Sequence, residues 1–222
     1  MSVRHPLQER SASGAAFALA AAVVAALLLL APRTTLWDRD ESRFARSAVE
    51  MLSSGDFLVP TFAGELRPHK PPLLPWLMAL SASVLGPTEL AFRLWSALAH
   101  GASVLLTFSA GRRLASGRVP LLGAALLAVS PLALLEGAAA TADAVLLAGL
   151  TGVLAVFADA ATGGVRPRHL VLGALASSVA QLAKGPVAFA LPLLGLGGAL
   201  LLAPEAFRGR RPLAPLLPAA PI

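Results

Sequence analysis

Residues 14–31 read GAAFALAAAVVAALLLLA and contain no charged side chain. A run of this length is enough for about one helical crossing of a bilayer. Arg4 and Arg10 precede it. A secretory signal peptide also begins with basic residues, but its apolar core is shorter and is followed by a small-residue cleavage site. This run instead ends at Ala31-Pro32-Arg33. We therefore predict an uncleaved transmembrane helix over residues 14–31.

The composition of the whole chain supports a membrane protein. Of its 222 residues, 56% are hydrophobic and 14% are charged, whereas soluble domains carry about one quarter charged residues. There is no cysteine, which excludes disulfides and cysteine-based metal or redox chemistry. The net charge of +6 comes from short basic clusters between apolar runs, so we expect membrane lipids as partners and no nucleic acid.

Five further apolar runs follow, and we expect each to form a transmembrane helix. Their Ala, Gly and Ser content suits helices that pack closely on one another. The predicted fold class is therefore all-α, a multi-spanning transmembrane helix bundle. The five runs are Leu94–Ala110, Val119–Leu135, Ala144–Ala158, Leu170–Ala183 and Pro186–Ala203.

The links between these runs alternate in charge, and this alternation predicts their orientation. Arginines follow the second, fourth and sixth spans, and basic links are enriched in the cytoplasm. We therefore predict a cytoplasmic N-terminus and an outer first loop. The predicted organisation is 1–13 cytoplasmic, 14–31 transmembrane, 32–88 outer loop, 89–203 five further spans, and 204–222 cytoplasmic.

The uncharged stretch Pro71–Gly86 could be counted as another span. Counting it would turn Arg112, Arg113 and Arg118 to the outside, against the positive-inside tendency. We instead expect Leu73–Leu85 to be a helix that lies in or dips into the outer interface, as broken helices do when protein covers them.

The first half of the outer loop has the pattern of an amphipathic helix. Asp38-Arg39-Asp40-Glu41 places carboxylates where they stabilise a helix start. Apolar residues then recur at helical spacing, and Ser53-Ser54-Gly55-Asp56 predicts the end of the helix. Pro60 opens a stretch that we expect to be extended as far as His69. The apolar residues are Phe44, Ala48, Met51 and Leu52.

Seven ionisable groups come to the outer face in this topology. Each has an ordinary interpretation as a helix cap, a surface charge or the anchor of a span end. Together, acids beside bases at a membrane edge suit a lipid phosphate, because cations stabilise its charge while a carboxylate acts as base. The seven are Asp40, Glu41, His69, Lys70, Glu136, Asp143 and Lys184.

An ordered set of short motifs resembles the integral-membrane glycosyltransferases that use polyprenyl-phosphate sugars. Similar motifs occur in the superfamily of aminoarabinose transferases and protein O-mannosyltransferases, which share the GT-C fold. Each motif is short, and their common order and spacing carry the resemblance. They are Asp40-Glu41-Ser42-Arg43-Phe44-Ala45, Glu50-Met51-Leu52, Gly55-Asp56-Phe57-Leu58-Val59-Pro60, Lys70-Pro71-Pro72-Leu73, Trp76-Leu77, Gly86, Arg93-Leu94, Thr141-Ala142-Asp143 and Lys184-Gly185-Pro186.

The resemblance implies an enzyme that moves one sugar, with inversion, from a polyprenyl-phosphate donor to a lipid, glycan or protein acceptor. It implies that the first outer loop contains two juxtamembrane helices, and that the protein lies in the bacterial inner membrane with this loop outside. It implies catalytic carboxylates at Asp40, Glu41 and Asp143. The implied cations for the donor phosphate are Lys70, Lys184 and Arg43.

Three departures from the family pattern bear on this hypothesis. His69 stands where relatives often place an acid that helps to hold a divalent metal, so a metal at His69 is left open. Phe44 replaces a common tyrosine, and Ala142 a common proline. The chain also covers only the first part of such an enzyme, so we expect an N-terminal fragment that is inactive alone. The alternative is a transporter or flippase fragment with outer gating charges, which would place such groups nearer the midplane.

Overall fold

The computed structural model describes residues 6–68 and 70–202. Nearly all of this length is helical, as the sequence predicts. The nine helices of the described residues are α1 Pro6–Leu30, α2 Arg39–Ser54, α3 Leu73–Leu85, α4 Glu89–Leu114, α5 Val119–Ala128, α6 Pro131–Ala138, α7 Ala142–Gly163, α8 Pro167–Lys184 and α9 Val187–Leu202.

Three helical segments of the described residues are long and apolar enough to cross a membrane. They are Ser11–Arg33, Glu89–Leu114 and Ala142–Gly163, and the bent pair α5–α6 makes a fourth if it is one span. The predicted spans at 170–183 and 186–203 correspond to α8 and α9. These two helices are not among the segments that are long and apolar enough to cross a membrane. Their crossing of the membrane remains a prediction.

The short apolar helix α3 does not lead from one end of the bundle to the other. Arg93, in the first turns of α4, donates to the carbonyl of Ala31 at 2.8 Å, directly after the end of α1. Since α1 ends where α4 begins, the segment between them starts and finishes at the same end of the bundle. With 13 residues, α3 is also shorter than the roughly 20 that a crossing needs.

The predicted span over residues 119–135 is broken. Its two halves, α5 and α6, meet at an angle of 55°. Pro131 opens α6 and has no N–H to continue the preceding helix. The last carbonyls of α5 therefore lack helical partners, and the buried ring of His100 lies with Nε2 3.3 Å from the carbonyl of Ala128. A polar ring inside the bundle thus satisfies backbone that the break exposes.

Helix α2 begins and ends as predicted, although Asp38 is the N-cap. Its carboxylate accepts from the Asp40 N–H at 2.6 Å, and Gly55 closes the helix with φ of 74°. Phe44, Ala48 and Met51 are buried, but Leu52 is exposed and lies outside the buried face.

The stretch after Pro60 was predicted to be extended, and it instead forms a hairpin. Strands β1 Thr61–Phe62 and β2 Glu65–Leu66 are antiparallel, with Ala63 and Gly64 both at positive φ in the turn. Such a turn is unusual for alanine. Glu50 on α2 stabilises it, because its carboxylate accepts from the Ala63 N–H at 2.9 Å and the Thr61 hydroxyl at 2.6 Å. These bonds lower the pKa of Glu50, with the Thr61 hydroxyl as the largest cause.

One apolar core joins α2 and α3 to α4, α7 and α8. Small residues allow a close approach between α7 and α8. A Cβ added to Gly149 would lie 2.7 Å from the backbone nitrogen of Ala180 and 3.0 Å from the carbonyl of Ala176. Backbone atoms cannot move aside as a flexible side chain can, so this position requires glycine.

We therefore expect Gly149→Val to separate α7 from α8 and to lower stability by about 1–3 kcal/mol, the usual cost of overpacking a core. Thermal unfolding of the complete protein in detergent measures the effect. Gly14→Val is the matched control, because no atom lies within 4 Å of a Cβ added there. Equal melting temperatures for the two variants would contradict the close packing of α7 on α8.

Candidate functional site

Asp40 lies at the start of α2 with three cations around its carboxylate. Lys70 Nζ is 3.3 Å from Oδ2, while Arg67 Nη2 and Arg43 Nη1 are 3.7 Å and 3.9 Å from Oδ1. The Asp40 side chain remains 39% exposed. Three positive charges against one carboxylate leave an excess of positive charge, which suits a second anion at this site. We call Asp40, Arg43, Arg67 and Lys70 the outer cluster, after the predicted outer loop 32–88 that contains them.

The ring of Phe44 forms the floor of the outer cluster. Arg67 and Lys70 lie over this ring. Arg67 Cζ is 4.9 Å from the ring centroid, and Lys70 Nζ is 5.7 Å from it. Cations over an aromatic face gain electrostatic energy and a fixed position. Because Phe44 is one turn from Asp40 on α2, the same helix supplies both the carboxylate and the surface that supports the cations.

Arg67 is a member of the outer cluster that the sequence did not single out. Its side chain is 7% exposed, and burial lowers the pKa of its guanidinium while Asp40 raises it. Its Nη1 has no hydrogen-bond partner within the part of the chain that the structure describes. The only sequence signal is a second cation three residues before Lys70, which by itself also fits a surface charge.

Glu41, the neighbour of Asp40, is fully buried, with an exposed fraction of 0%. Its Oε1 accepts from Arg93 Nε at 2.9 Å and from the Ala140 N–H at 2.7 Å. Its Oε2 accepts from Arg93 Nη2 at 3.2 Å and from the Trp37 N–H at 3.1 Å. Burial alone would raise the pKa of Glu41, but the bonds from Arg93 and Ala140 outweigh it and lower the pKa.

This geometry fits a positioning role for Glu41, because both carboxylate oxygens already accept from donors of the protein. The catalytic role predicted from the sequence stays a prediction. The bond to Ala140 ties α2 to the link before α7, three residues ahead of Asp143. Glu41 thereby sets the position of another candidate carboxylate.

Arg93 completes this network from α4. Besides the two bonds to Glu41, it donates to the carbonyls of Ala31 and Thr34 at 2.8 Å and to that of Thr35 at 2.9 Å. One buried guanidinium therefore joins α1, α2 and α4. The sequence carried a signal for it, because a lone arginine at the outer end of an apolar run runs against the positive-inside tendency and needs an internal partner.

A second ion pair joins α7 to α8. Asp143, in the first turn of α7, contacts Lys184, in the last turn of α8. Both side chains are partly exposed, at 40% and 35%. This pair lies beside the outer cluster, because a Cβ added to Gly185 would be 3.6 Å from Cγ of Pro71. Pro71 and Gly185 directly follow Lys70 and Lys184 in the chain.

Glu136 also lies at this end of the bundle, where it accepts from the Thr141 hydroxyl at 2.7 Å. It lines a groove of about 370 Å³ together with Asp143. The rest of this groove is largely leucine, so two carboxylates stand at the edge of an apolar channel. The leucines are Leu127, Leu132, Leu146, Leu147, Leu150 and Leu191.

The described residues thus bring together six of the seven groups that the sequence placed on one face. The seventh, His69, lies outside the described residues. No group of three or more His, Asp or Glu side chains that could hold a metal occurs at 6–68 or 70–202. The outer cluster does not fit a divalent cation either, because three cations already face Asp40. A metal at His69 remains a prediction.

Fold and site together define a class: a multi-spanning integral membrane protein with a cation-rich, carboxylate-containing site at one end of its helix bundle. Residues 69–217 match the family of dolichyl-phosphate-mannose-protein mannosyltransferases. The chain belongs to that family.

Relatives of this chain include named sugar transferases. An undecaprenyl phosphate-alpha-4-amino-4-deoxy-L-arabinose arabinosyl transferase of Edwardsiella ictaluri is 31% identical over 185 residues, which are 81% of this chain and 33% of that protein. An uncharacterized protein of Aquifex aeolicus is 32% identical over 71% of this chain and 32% of its own length. The chain therefore spans about one third of the curated relatives it matches.

The fold is similar to that of ArnT from Cupriavidus metallidurans. The crystal structure of that protein bound to undecaprenyl phosphate has a TM-score of 0.75 and 26% identity, over 89% of this chain and 38% of the other. Its apo structure has a TM-score of 0.76 over 84% of this chain. These likenesses confirm the predicted helix-bundle fold and the predicted family, and they support a place in the bacterial inner membrane.

We expect Arg93→Gln to destabilise the complete protein by about 3–5 kcal/mol, because it leaves the buried carboxylate of Glu41 without its charged partner. The double variant Arg93→Gln with Glu41→Gln should recover part of this loss, since two neutral amides can bond to each other. Thermal unfolding of the single and double variants forms the cycle. Strictly additive losses would show that the two side chains do not act as a pair.

Proposed function

We propose that the complete protein containing this chain is a glycosyltransferase that takes its sugar from a polyprenyl-phosphate donor. The observation that carries the proposal is the outer cluster, in which three cations face one partly exposed carboxylate. Membership of a glycosyltransferase family and likeness to a structure with bound undecaprenyl phosphate support it. The relatives make an aminopentose the first sugar to test, and we propose a lipid, glycan or protein as the acceptor.

In this proposal the cations bind the donor phosphate. A phosphate that enters the outer cluster would replace Asp40 as the ion-pair partner of Lys70. Lys70 Nζ now lies 3.3 Å from the Asp40 carboxylate. Arg43 is 33% exposed and can bind from the other side. As the bond from the anomeric carbon to the phosphate oxygen breaks, negative charge grows on the phosphate, and fixed cations stabilise that charge. The polyprenyl phosphate is then the leaving group.

Asp40 is the proposed general base. Once the phosphate has drawn Lys70 away, its carboxylate is free to accept the proton of the acceptor oxygen as that oxygen attacks the anomeric carbon. Inversion requires the acceptor oxygen to attack the anomeric carbon from the face opposite the departing phosphate. The sugar must therefore bind between Asp40, which takes the proton of the acceptor, and the cations that hold the phosphate.

Asp143 and Lys184 form the second half of the proposed site. Their pairing leaves each partly exposed, and their chain neighbours place them beside Lys70. We propose that Lys184 adds a further cation on the phosphate side and that Asp143 orients the sugar or acceptor hydroxyls. The apolar groove next to Asp143 can accept a lipid chain from the bilayer, because its wall is largely leucine.

We expect Asp40→Asn to reduce sugar transfer by about 10²-fold or more, the usual contribution of a general base. Lys70→Ala should cost about 10²–10³-fold, as loss of a transition-state donor does. Transfer from a synthetic polyprenyl-phosphate sugar by the complete protein in membranes measures both. Asp56→Asn is the control, because this exposed carboxylate of the same loop caps only the Leu58 N–H.

Near-wild-type transfer by both Asp40→Asn and Lys70→Ala would overturn the site assignment. Transport of the lipid-linked sugar without transfer would instead favour the transporter alternative. Nothing in the described geometry favours that alternative, since the charged groups lie at the end of the bundle and not at its middle.

We also propose that the outer cluster faces away from the cytoplasm. Its end of the bundle contains the ends of α1 and α8 and the starts of α4 and α7. The opposite end carries Arg112, Arg113, Arg166 and Arg168. Basic residues gather on the cytoplasmic side of membrane proteins, which puts the arginine-rich end inside.

Single cysteines can test this orientation, because the chain itself contains none. We expect Ser53→Cys, which is exposed on α2, to react with a membrane-impermeant maleimide added to intact spheroplasts. Ser116→Cys, exposed at the opposite end, should react only after the membrane is opened. Cysteines elsewhere in the complete protein are replaced beforehand. The reverse labelling pattern would overturn the orientation.

A further inference from the structure

A groove between α7 and α8 shares no lining residue with the proposed transfer site. Its volume is about 420 Å³, and Leu106 of α4 forms part of its wall. Gly149 and Gly152 on α7 pack closely on Ala176 of α8 at its base, and Leu172 and Val179 of α8 line it beside them. We call this space the α7–α8 groove. Its lining is apolar along most of its length.

One end of the α7–α8 groove is charged. Asp159 pairs there with Arg113 and Arg168, each at 2.7 Å, and with the ring of His169 at 3.0 Å. The two arginine side chains remain about half exposed, at 49% and 51%. Two arginines against one carboxylate leave an excess positive charge at the mouth. Its available guanidinium N–H groups suit an anion that carries several oxygen acceptors.

The length of the groove matches one leaflet of a bilayer. Gly149 lines its inner part and Asp159 its mouth, and they are ten residues apart on the same helix. At the helical rise this corresponds to about 15 Å. The hydrocarbon core of a bilayer is about 30 Å thick, so the groove has the depth of one acyl layer, with its charges at the level of the headgroups.

We propose that the α7–α8 groove binds one anionic glycerophospholipid of the leaflet at the arginine-rich end. An acyl chain lies along Leu106 and Leu172, which line the groove, and the headgroup phosphate binds Arg113 and Arg168. A soluble phosphate compound has no acyl chain to fill the apolar part of the groove. A zwitterionic lipid would bring a further cation to a mouth that is already positive. Basic pockets between transmembrane helices recognise anionic headgroups in this way.

The test uses the complete protein, purified in a neutral detergent. Native mass spectrometry counts the lipid that remains bound, and thermal unfolding is followed while phosphatidylglycerol is added. Phosphatidylcholine with the same acyl chains and soluble glycerol phosphate are the comparison ligands. We expect one retained phosphatidylglycerol and a rise of several degrees in melting temperature with this lipid alone.

Two variants remove the site in different ways. Arg113→Gln takes a cation from the mouth, and Ala148→Phe fills the groove from its lining. Each should weaken retention of phosphatidylglycerol at least tenfold. Matched controls are Arg118→Gln, an exposed arginine at the same end, and Leu154→Phe, an exposed position of α7 that does not line the groove. Both controls should retain the lipid as the unchanged protein does.

Several results would overturn the proposal. They are equal stabilisation by phosphatidylcholine, equal stabilisation by glycerol phosphate, undiminished retention in Ala148→Phe, and a loss in Arg118→Gln as large as in Arg113→Gln. Absence of any retained lipid would also overturn it and would indicate that later helices of the complete protein cover the groove. If either variant fails to fold, Arg168→Gln removes the second arginine of the mouth and is measured in its place, with the same expected loss of lipid.

Discussion

The ion pair between Glu41 and Arg93 is the interaction on which the end of the bundle with the outer cluster depends. Burying two charges costs several kcal/mol for each ion, and only close geometry with further hydrogen bonds offsets this cost. Here both ions are fully bonded: Glu41 also accepts from Trp37 and Ala140, and Arg93 donates to carbonyls after α1. Because each bond reaches another element, α1, α2, α4 and the start of α7 are held in one arrangement.

The buried pair explains why two adjacent carboxylates have different roles. Successive residues on a helix point about 100° apart, so when Glu41 is directed into the bundle, Asp40 is directed to its surface. The same helix turn therefore supplies a structural carboxylate and an exposed one. Phe44 lies one turn further on and supports Arg67 and Lys70 above its ring. The proposed chemistry of Asp40 thus rests on a position that Glu41 sets.

Charge is distributed differently at the two ends of the bundle. At one end, acids and bases pair while staying partly exposed, as Asp40 does with Lys70 and Asp143 with Lys184. At the other end, arginines exceed carboxylates around Asp159. The first arrangement suits groups that exchange partners with a substrate, and the second suits a standing contact with anionic lipid. Both arise where helix ends meet the membrane surface, since ionised groups are costly deeper inside.

The sequence by itself determined the helical bundle, the short helix α3 between longer ones, and the gathering of Asp40, Lys70, Asp143 and Lys184 at one end. The lengths of the apolar runs and the charges of the links between them carry that information. A bilayer requires a minimum apolar length of every spanning helix and favours basic links on one side. The tertiary structure alone decided that Glu41 is buried and that Arg67 joins Asp40. It also decided that the run over 119–135 bends and that residues 61–66 form a hairpin. These features depend on which side chains meet across elements distant in sequence, and local patterns of hydrophobicity and charge do not specify such contacts.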